Sequence, residues 1–206
     1  MLSMYNKTYT SLNKKEKDHF FEYLQSIKAT NVQSYANMWD DNWMTEVNTL
    51  PYVLENTDRF NDIKGKFHII YNDSDIVACG GVYRSQFNDL IGIGGVRTWT
   101  NDKYRHQSLL RDFLLPLHKS WCIEHDMKMI LLSFNEYNKN LIQVFKRRRL
   151  GEQKERINNR EPHHLFYNGV NELEFPVTIQ YTKQWIMFEK LDPSFDFDWS
   201  SIIWKN

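Results

Sequence analysis

The sequence predicts a mixed α/β (α+β) domain built on a mostly antiparallel sheet. Three observations carry this: apolar residues at helical spacing near the start of the chain, short alternating apolar runs from residue 67 onward, and one nearly continuous apolar run at Met127–Phe134. With 206 residues the chain fits one ordinary domain, since compact domains hold roughly 100–200 residues. A hydrophobic fraction of 41% with seven Trp is enough to fill a core, which argues against disorder.

Residues 1–60 read as a helical, polar N-terminal part. Phe20, Phe21, Tyr23, Leu24 and Ile27 line one helix face, and a second helix is expected from Val32 to Trp39. The core is expected over residues 67–190. It begins with FHIIY, DIVACGGVY and LIGIGGVRTWT, separated by Asn-Asp-Ser-Asp and Gln-Phe-Asn-Asp clusters, which read as three consecutive antiparallel strands.

After Tyr104 the period changes to helical, with Leu110, Phe113, Leu114, Leu117 and Trp121 on one face. Pro116 must kink or split that helix, because it lacks a backbone donor. Met127–Phe134 then reads as a central strand covered on both faces, and a strand that follows a helix in this way suggests parallel pairing. Residues 139–149 read as a helix ending in Lys146, Arg147, Arg148 and Arg149, with Gly151 as its cap. Residues 152–176 read as an irregular insertion, Val177–Lys190 as a long strand or hairpin arm, and 192–206 as an aromatic tail packed on the body.

Several function classes are set aside by composition and spacing. Lys+Arg and Asp+Glu both number 26, so no global field draws the chain to nucleic acid or to an acidic membrane. Without a signal-like N-terminus or a stretch long enough to span a bilayer, the expectation is a cytoplasmic protein. Cys79 and Cys122 are too few for a disulfide scaffold and read as buried thiols. Gly92, Gly94 and Gly95 lack the spacing of a dinucleotide fingerprint and are followed by strand, not helix. His19, His68, His106, His118, His125, His163 and His164 form no i,i+4 metal pair, so no metal is expected.

Two segments point to a known family. In WTNDKYRHQSLLRDFLLP, residues 99–116, a strand end leads into a Tyr-Arg pair, a short loop and a helix. In SFNEYNKNLIQVFKRRRLG, residues 133–151, a strand leads through Asn138 into a helix carrying Phe145. With the order of elements around them, these segments resemble the GNAT superfamily of acyl-CoA N-acyltransferases. Thr100 and Asp102 stand at the Val and Pro positions of the superfamily's V-x-P-x-Y-R stretch, and Tyr104-Arg105 match its last pair. Ser108 and Leu110 stand where the phosphate motif has small residues, and Phe145 stands where active relatives often carry the Tyr that protonates the leaving thiolate.

The resemblance implies a GNAT-like sheet with helices on both faces and an acyl-CoA groove. Its cofactor contacts would be Thr98, Trp99 and Thr100 on the strand, Arg105, His106, Gln107, Ser108, Leu109, Leu110 and Arg111 at the helix start, and Asn138. Tyr137 and Glu136 are the catalytic candidates, with Tyr83 and Asp89 as further acids or bases near the groove, and Trp39, Trp43 and Met44 would wall its acceptor side. Acetyl-CoA is the implied donor and an amine the implied acceptor. A homodimer is also admitted. The rival expectation is a fold that has lost catalysis and serves as a binding or assembly module.

Overall fold

The computed structural model describes residues 4–39, 50–85, 88–135, 152–155 and 184–197; for 27–39, 106, 133–135, 152–155 and 184–187 it describes the backbone only. The expected helix at 139–149 and its Gly151 cap lie outside the described residues, as do Trp43 and Met44. The chain divides into two compact units, Met1–Tyr83 with Gly94–Trp121, and Arg84–Ile93 with Cys122–Asn206.

The first unit opens with a strand, β1 (Met4–Thr8), inside the stretch expected to be helical; it pairs antiparallel with β2 (Gly65–Asn72). Helix α1 (Lys14–Trp39) runs unbroken where two helices were expected. Its start is fixed by a reciprocal cap: Asn13 Oδ1 accepts the Glu16 N–H at 3.0 Å, and Glu16 Oε2 accepts the Asn13 N–H at 2.9 Å. Phe20 and Leu24 face inward as the periodicity predicts, and the Phe20 ring packs 6.0 Å from Phe67 of β2. A short helix, α2 (residues 50–56), buries Leu50, Val53 and Leu54.

β2 and β3 (Asp75–Arg84) form an antiparallel pair, buried along nearly their whole length. β4 (Ile91–Thr100) lies beside β3. Here Ser85 N–H bonds Ile91 O at 2.8 Å, Thr98 packs at Gly80 and Asn101 N–H bonds Val77 O at 2.9 Å. These partners descend one strand as they ascend the other, so the pair is antiparallel. The three consecutive strands read from the alternating runs are therefore present.

The helix following β4 begins at residue 109, with a π turn at Leu110–Leu114 that passes into α3 (Leu115–Glu124). The Leu115 N–H reaches back five residues to Leu110 O. Pro116 therefore neither kinks nor splits the helix sharply: the widened turn just before it absorbs the missing donor. Leu109 and Leu114 are buried with Ile70, Val77, Ala78 and Tyr104, and Leu110, Phe113 and Leu117 pack against that cluster.

In the second unit β5 (Met129–Asn135) pairs in parallel with the first residues of β4, Ile91↔Met129 to Ile93↔Leu131, as expected for a strand after a helix. On its other side β5 pairs antiparallel with β7 (Gln184–Lys190), which pairs in turn with β6 (Glu152–Glu155). β6 places a strand at the start of the stretch expected to be irregular, and β7 is the end of the strand expected over 177–190. Phe197 is buried and its ring lies 6.2 Å from that of Phe195, which seats the first part of the aromatic tail. Gly92 is required for space, because an added Cβ would collide with Cys122 Sγ. No helix among the described residues is long and apolar enough to cross a membrane.

Candidate functional site

The candidate site is the second half of β4 and the turn after it. Along β4 the backbone is regular until Gly95, where φ becomes 69°, and Arg97 repeats the excursion at 50°. Two left-handed residues so close together bend a strand and re-aim its main chain, as a bulge does. Residues 95–100, which include the predicted Thr98, Trp99 and Thr100, are half-buried where Ile91–Ile93 are buried. The Thr98 hydroxyl is buried without a hydrogen-bond partner among the described residues.

The chain leaves β4 through a tightly anchored turn. Asn101 Nδ2 donates to Ile76 O at 3.2 Å, and its Oδ1 accepts the Lys103 N–H at 3.1 Å, capping the 3-10 segment Asp102–Gln107. The predicted Tyr104 is buried, and its hydroxyl donates to Asp75 Oδ2 at 3.1 Å while Asn72 Nδ2 donates to it at 3.4 Å. That hydroxyl, and after it the Lys103 ammonium, holds the Asp75 carboxyl below its usual range. The Tyr of the Tyr-Arg pair thus acts as the bolt fixing the turn to β2 and β3.

Ser108 then adopts the left-handed conformation, φ 54° and ψ 31°, immediately before the helix. This is the geometry glycine enters most readily, and a side chain there costs about 1–2 kcal/mol. Its carbonyl accepts the Asp112 N–H at 2.9 Å. Helix geometry leaves the preceding first-turn N–H groups, at Leu109, Leu110 and Arg111, without an acceptor inside the helix, and an aligned helix end favours negative charge.

The side chains around this helix start are arranged differently from the expectation. Arg105 is half-exposed and paired with Asp102 at 2.6 Å, and Arg111 forms a two-pronged pair with its neighbour Asp112. Leu109 is buried and Leu110 packs on the core cluster, so their contribution to a ligand would come from the backbone. Gln107 is exposed, and the structure describes only the backbone of His106. Asn138, Tyr137, Glu136 and Phe145 lie outside the described residues. Tyr83 is buried against the Phe60 ring, with the Arg59 guanidinium 4.9 Å from its centroid, and Asp89 is exposed in the second unit. Burial pushes the Cys79 and Cys122 thiols up to about 12, which leaves neither as a thiolate at neutral pH.

Sequence reading missed three contributors: the left-handed Gly95 and Arg97, and His118, whose ring touches the bulge. Gly95 carried a signal in its residue type; Arg97 and His118 carried none. Among the described residues no cluster of His, Cys, Asp or Glu could hold a metal ion.

No family model and no curated protein matches the chain in sequence. Its fold does match solved structures. An acetyltransferase from Streptococcus agalactiae superposes with a TM-score of 0.60 at 14% identity, over 91% of this chain and 99% of the other. A GNAT-family acetyltransferase from Staphylococcus aureus gives 0.56 at 15% identity, over 90% and 99%. Spermidine N-acetyltransferase from Vibrio cholerae, solved with CoA and spermine, gives 0.56 at 8% identity, over 91% and 95%. A strand order with β4 and β5 parallel inside an otherwise antiparallel array, and coverage of nine-tenths of the chain at such low identity, lead to one conclusion: this sequence adopts the GNAT acetyltransferase fold.

Proposed function

We propose that the chain is an acyl-CoA-dependent N-acyltransferase that moves acetyl from acetyl-CoA to an amine. The observation that carries the reading is Ser108, which takes up the left-handed conformation of a phosphate-loop glycine at the start of a helix, directly after a bulged strand. A conformation disfavoured by its own side chain is retained where the resemblance places the pyrophosphate. The fold likeness supports the same reading, and the CoA seen in the Vibrio cholerae enzyme supports the cofactor class.

In this reading the main-chain N–H groups at the start of the helix hold the pyrophosphate, with Arg105 and Arg111 exchanging Asp102 and Asp112 for phosphate oxygens. Thr98, Trp99 and Thr100 line the pantetheine arm, and Asn138 contributes from the strand-to-helix stretch. The neutral amine attacks the thioester carbonyl carbon, and β4 amides stabilise the oxyanion. The C–S bond then breaks as the C–N bond forms, and the proton lost by nitrogen ends on the CoA sulfur. Glu136 or Tyr137 would relay that proton. Transfer is direct, in keeping with thiols held protonated by burial. Isothermal titration with CoA and acetyl-CoA tests the reading: saturable heat is expected, and silence at millimolar ligand, without a thermal shift, would reject it.

A second reading, a fold kept as a binding or assembly module without catalysis, is favoured by Arg105 and Arg111 each being held by a neighbouring carboxylate and by Phe145 offering no proton. Steady acyl transfer in a broad amine screen would eliminate it.

A further inference from the structure

One buried side chain joins β3, the bulge of β4 and α3. His118 is completely buried; its Nδ1 accepts the Gly95 N–H at 3.3 Å, and its Nε2 lies 3.4 Å from Gly80 O. The two partners settle the tautomer, because a nitrogen that accepts from an amide cannot carry hydrogen, which leaves the proton on Nε2 for the Gly80 carbonyl. Gly80 is also where β4 comes closest to β3: an added Cβ would lie 2.6 Å from Thr98 Oγ1. The ring therefore grips both strands beside the residue at which β4 leaves regular geometry.

His68 supplies the contrast. Its ring lies 5.6 Å from that of His118 and is equally sheltered, yet its Nδ1 meets only the Asn6 side chain and its Nε2 has no partner among the described residues. His68 fills space between the strands, whereas His118 ties down main chain at both nitrogens. Burial keeps the His118 ring neutral, as its accepting nitrogen requires, with a pKa lowered to about 4.

We propose that His118 is a positioning residue for the acyl group: by holding the Gly95 N–H it fixes the bulge and so aims the later β4 amides at the thioester carbonyl. This rests on the acyl-CoA reading above. It also commits the Gly95 N–H, so the amide that meets the oxyanion must come from the strand beyond it.

The test uses the full chain and three variants. His118→Asn keeps an acceptor near the Nδ1 position, His118→Gln carries its amide toward Gly80 only, and His118→Leu removes both bonds. Two signals are read by NMR: exchange of the Gly95 amide proton without ligand, and the resonance of acetyl-CoA isotope-labelled at the acetyl carbonyl, whose bound position reports polarisation by main-chain N–H groups. Gly95 exchange should speed up by about tenfold or more in His118→Leu and His118→Gln. The bound carbonyl resonance should return toward its free value in both, and His118→Asn should keep both signals. Affinity for CoA itself should stay within about threefold throughout, since the phosphate-binding turn is left intact.

Unchanged Gly95 exchange in His118→Leu overturns the inference, as does a bound carbonyl resonance that ignores the substitution. If His118→Leu does not fold, the Asn and Gln pair decides the matter, and equal behaviour of the two overturns it. Failure of the wild-type chain to bind either CoA or acetyl-CoA defeats the proposed function instead, while the exchange measurement still reports on the tether.

Discussion

The two ends of β4 differ in what their glycines do. At Ile91–Ile93 the strand is buried and paired in register with β5, and Gly92 is glycine because Cys122 occupies the space where a side chain would stand. From Gly95 onward the strand is half-buried, two residues take positive φ, and Gly95 is glycine because of its dihedral angle. One end contributes cohesion and the other direction. A strand can hold a sheet together with one part of its main chain only if it stops doing so where that main chain is to serve a ligand.

The two ends should therefore differ in sensitivity, and the largest effect is expected in acid, at the histidine that steadies the directing end. His68 and His118 have pKa values depressed by burial, to about 3 and about 4, against an ordinary value of 6.5. Between those values the unfolded chain binds protons that the folded chain refuses. The stability linked to the rings is therefore complete above pH 6.5 and lost as pH falls toward 4, at a slope of about 1.4 kcal/mol per pH unit for each ring. Urea midpoints between about pH 7 and about pH 4.5 should show this, and His118→Asn should lower the slope by one proton's worth; an unchanged slope would contradict the burial of that ring.

Gly92→Val attacks the cohesive end. Overpacking against Cys122 should cost about 1–3 kcal/mol in denaturant melts, and Cys122→Ala should recover a large part of the loss in the double variant. Additive losses would mean that the two residues do not share the space. At the directing end, Ser108→Gly should stabilise the fold by about 1 kcal/mol through release of the left-handed strain, even though glycine loosens the unfolded chain. A destabilised variant would show that the serine is not strained.

The smallest effect is expected at Asp102→Asn. Removing the carboxylate that holds Arg105 should tighten CoA binding by about two- to fivefold, within the range of an exposed ion pair, and the gain should shrink as salt is raised. Weaker binding would mean that Asp102 presents the arginine instead of withholding it.

Elements with strong apolar periodicity were legible in the sequence. β2, β3, β4 and β5 and the helix after Tyr104 all derive from side chains that must alternate or repeat to reach a core. β1 escaped because an edge strand such as MYNKT leaves much of its surface exposed, and β6, with the sequence EQKE, has no apolar residue to alternate. Between the two helices expected in α1, Ala29-Thr30-Asn31 resembles a weak join, yet the helix continues through it. At the site, Tyr104 and the helix start were readable from the resemblance. The bend at Arg97 was not, because no side chain announces a positive φ, and neither was His118, which on an apolar helix face looks like any other core histidine.

The π turn before Pro116 carries a consequence for spacing. Such a turn amounts to one surplus residue in an α-helix, and each added residue rotates the remainder of the helix by about 100° around its axis. Deleting any one residue from Leu110 to Leu114 would wind the helix back to ordinary pitch and swing His118 away from Gly80 and Gly95 by roughly a quarter turn. The proline and the swollen turn beside it therefore act as a phase adjuster, letting the end of the helix that faces outward and the histidine that faces inward each keep its heading.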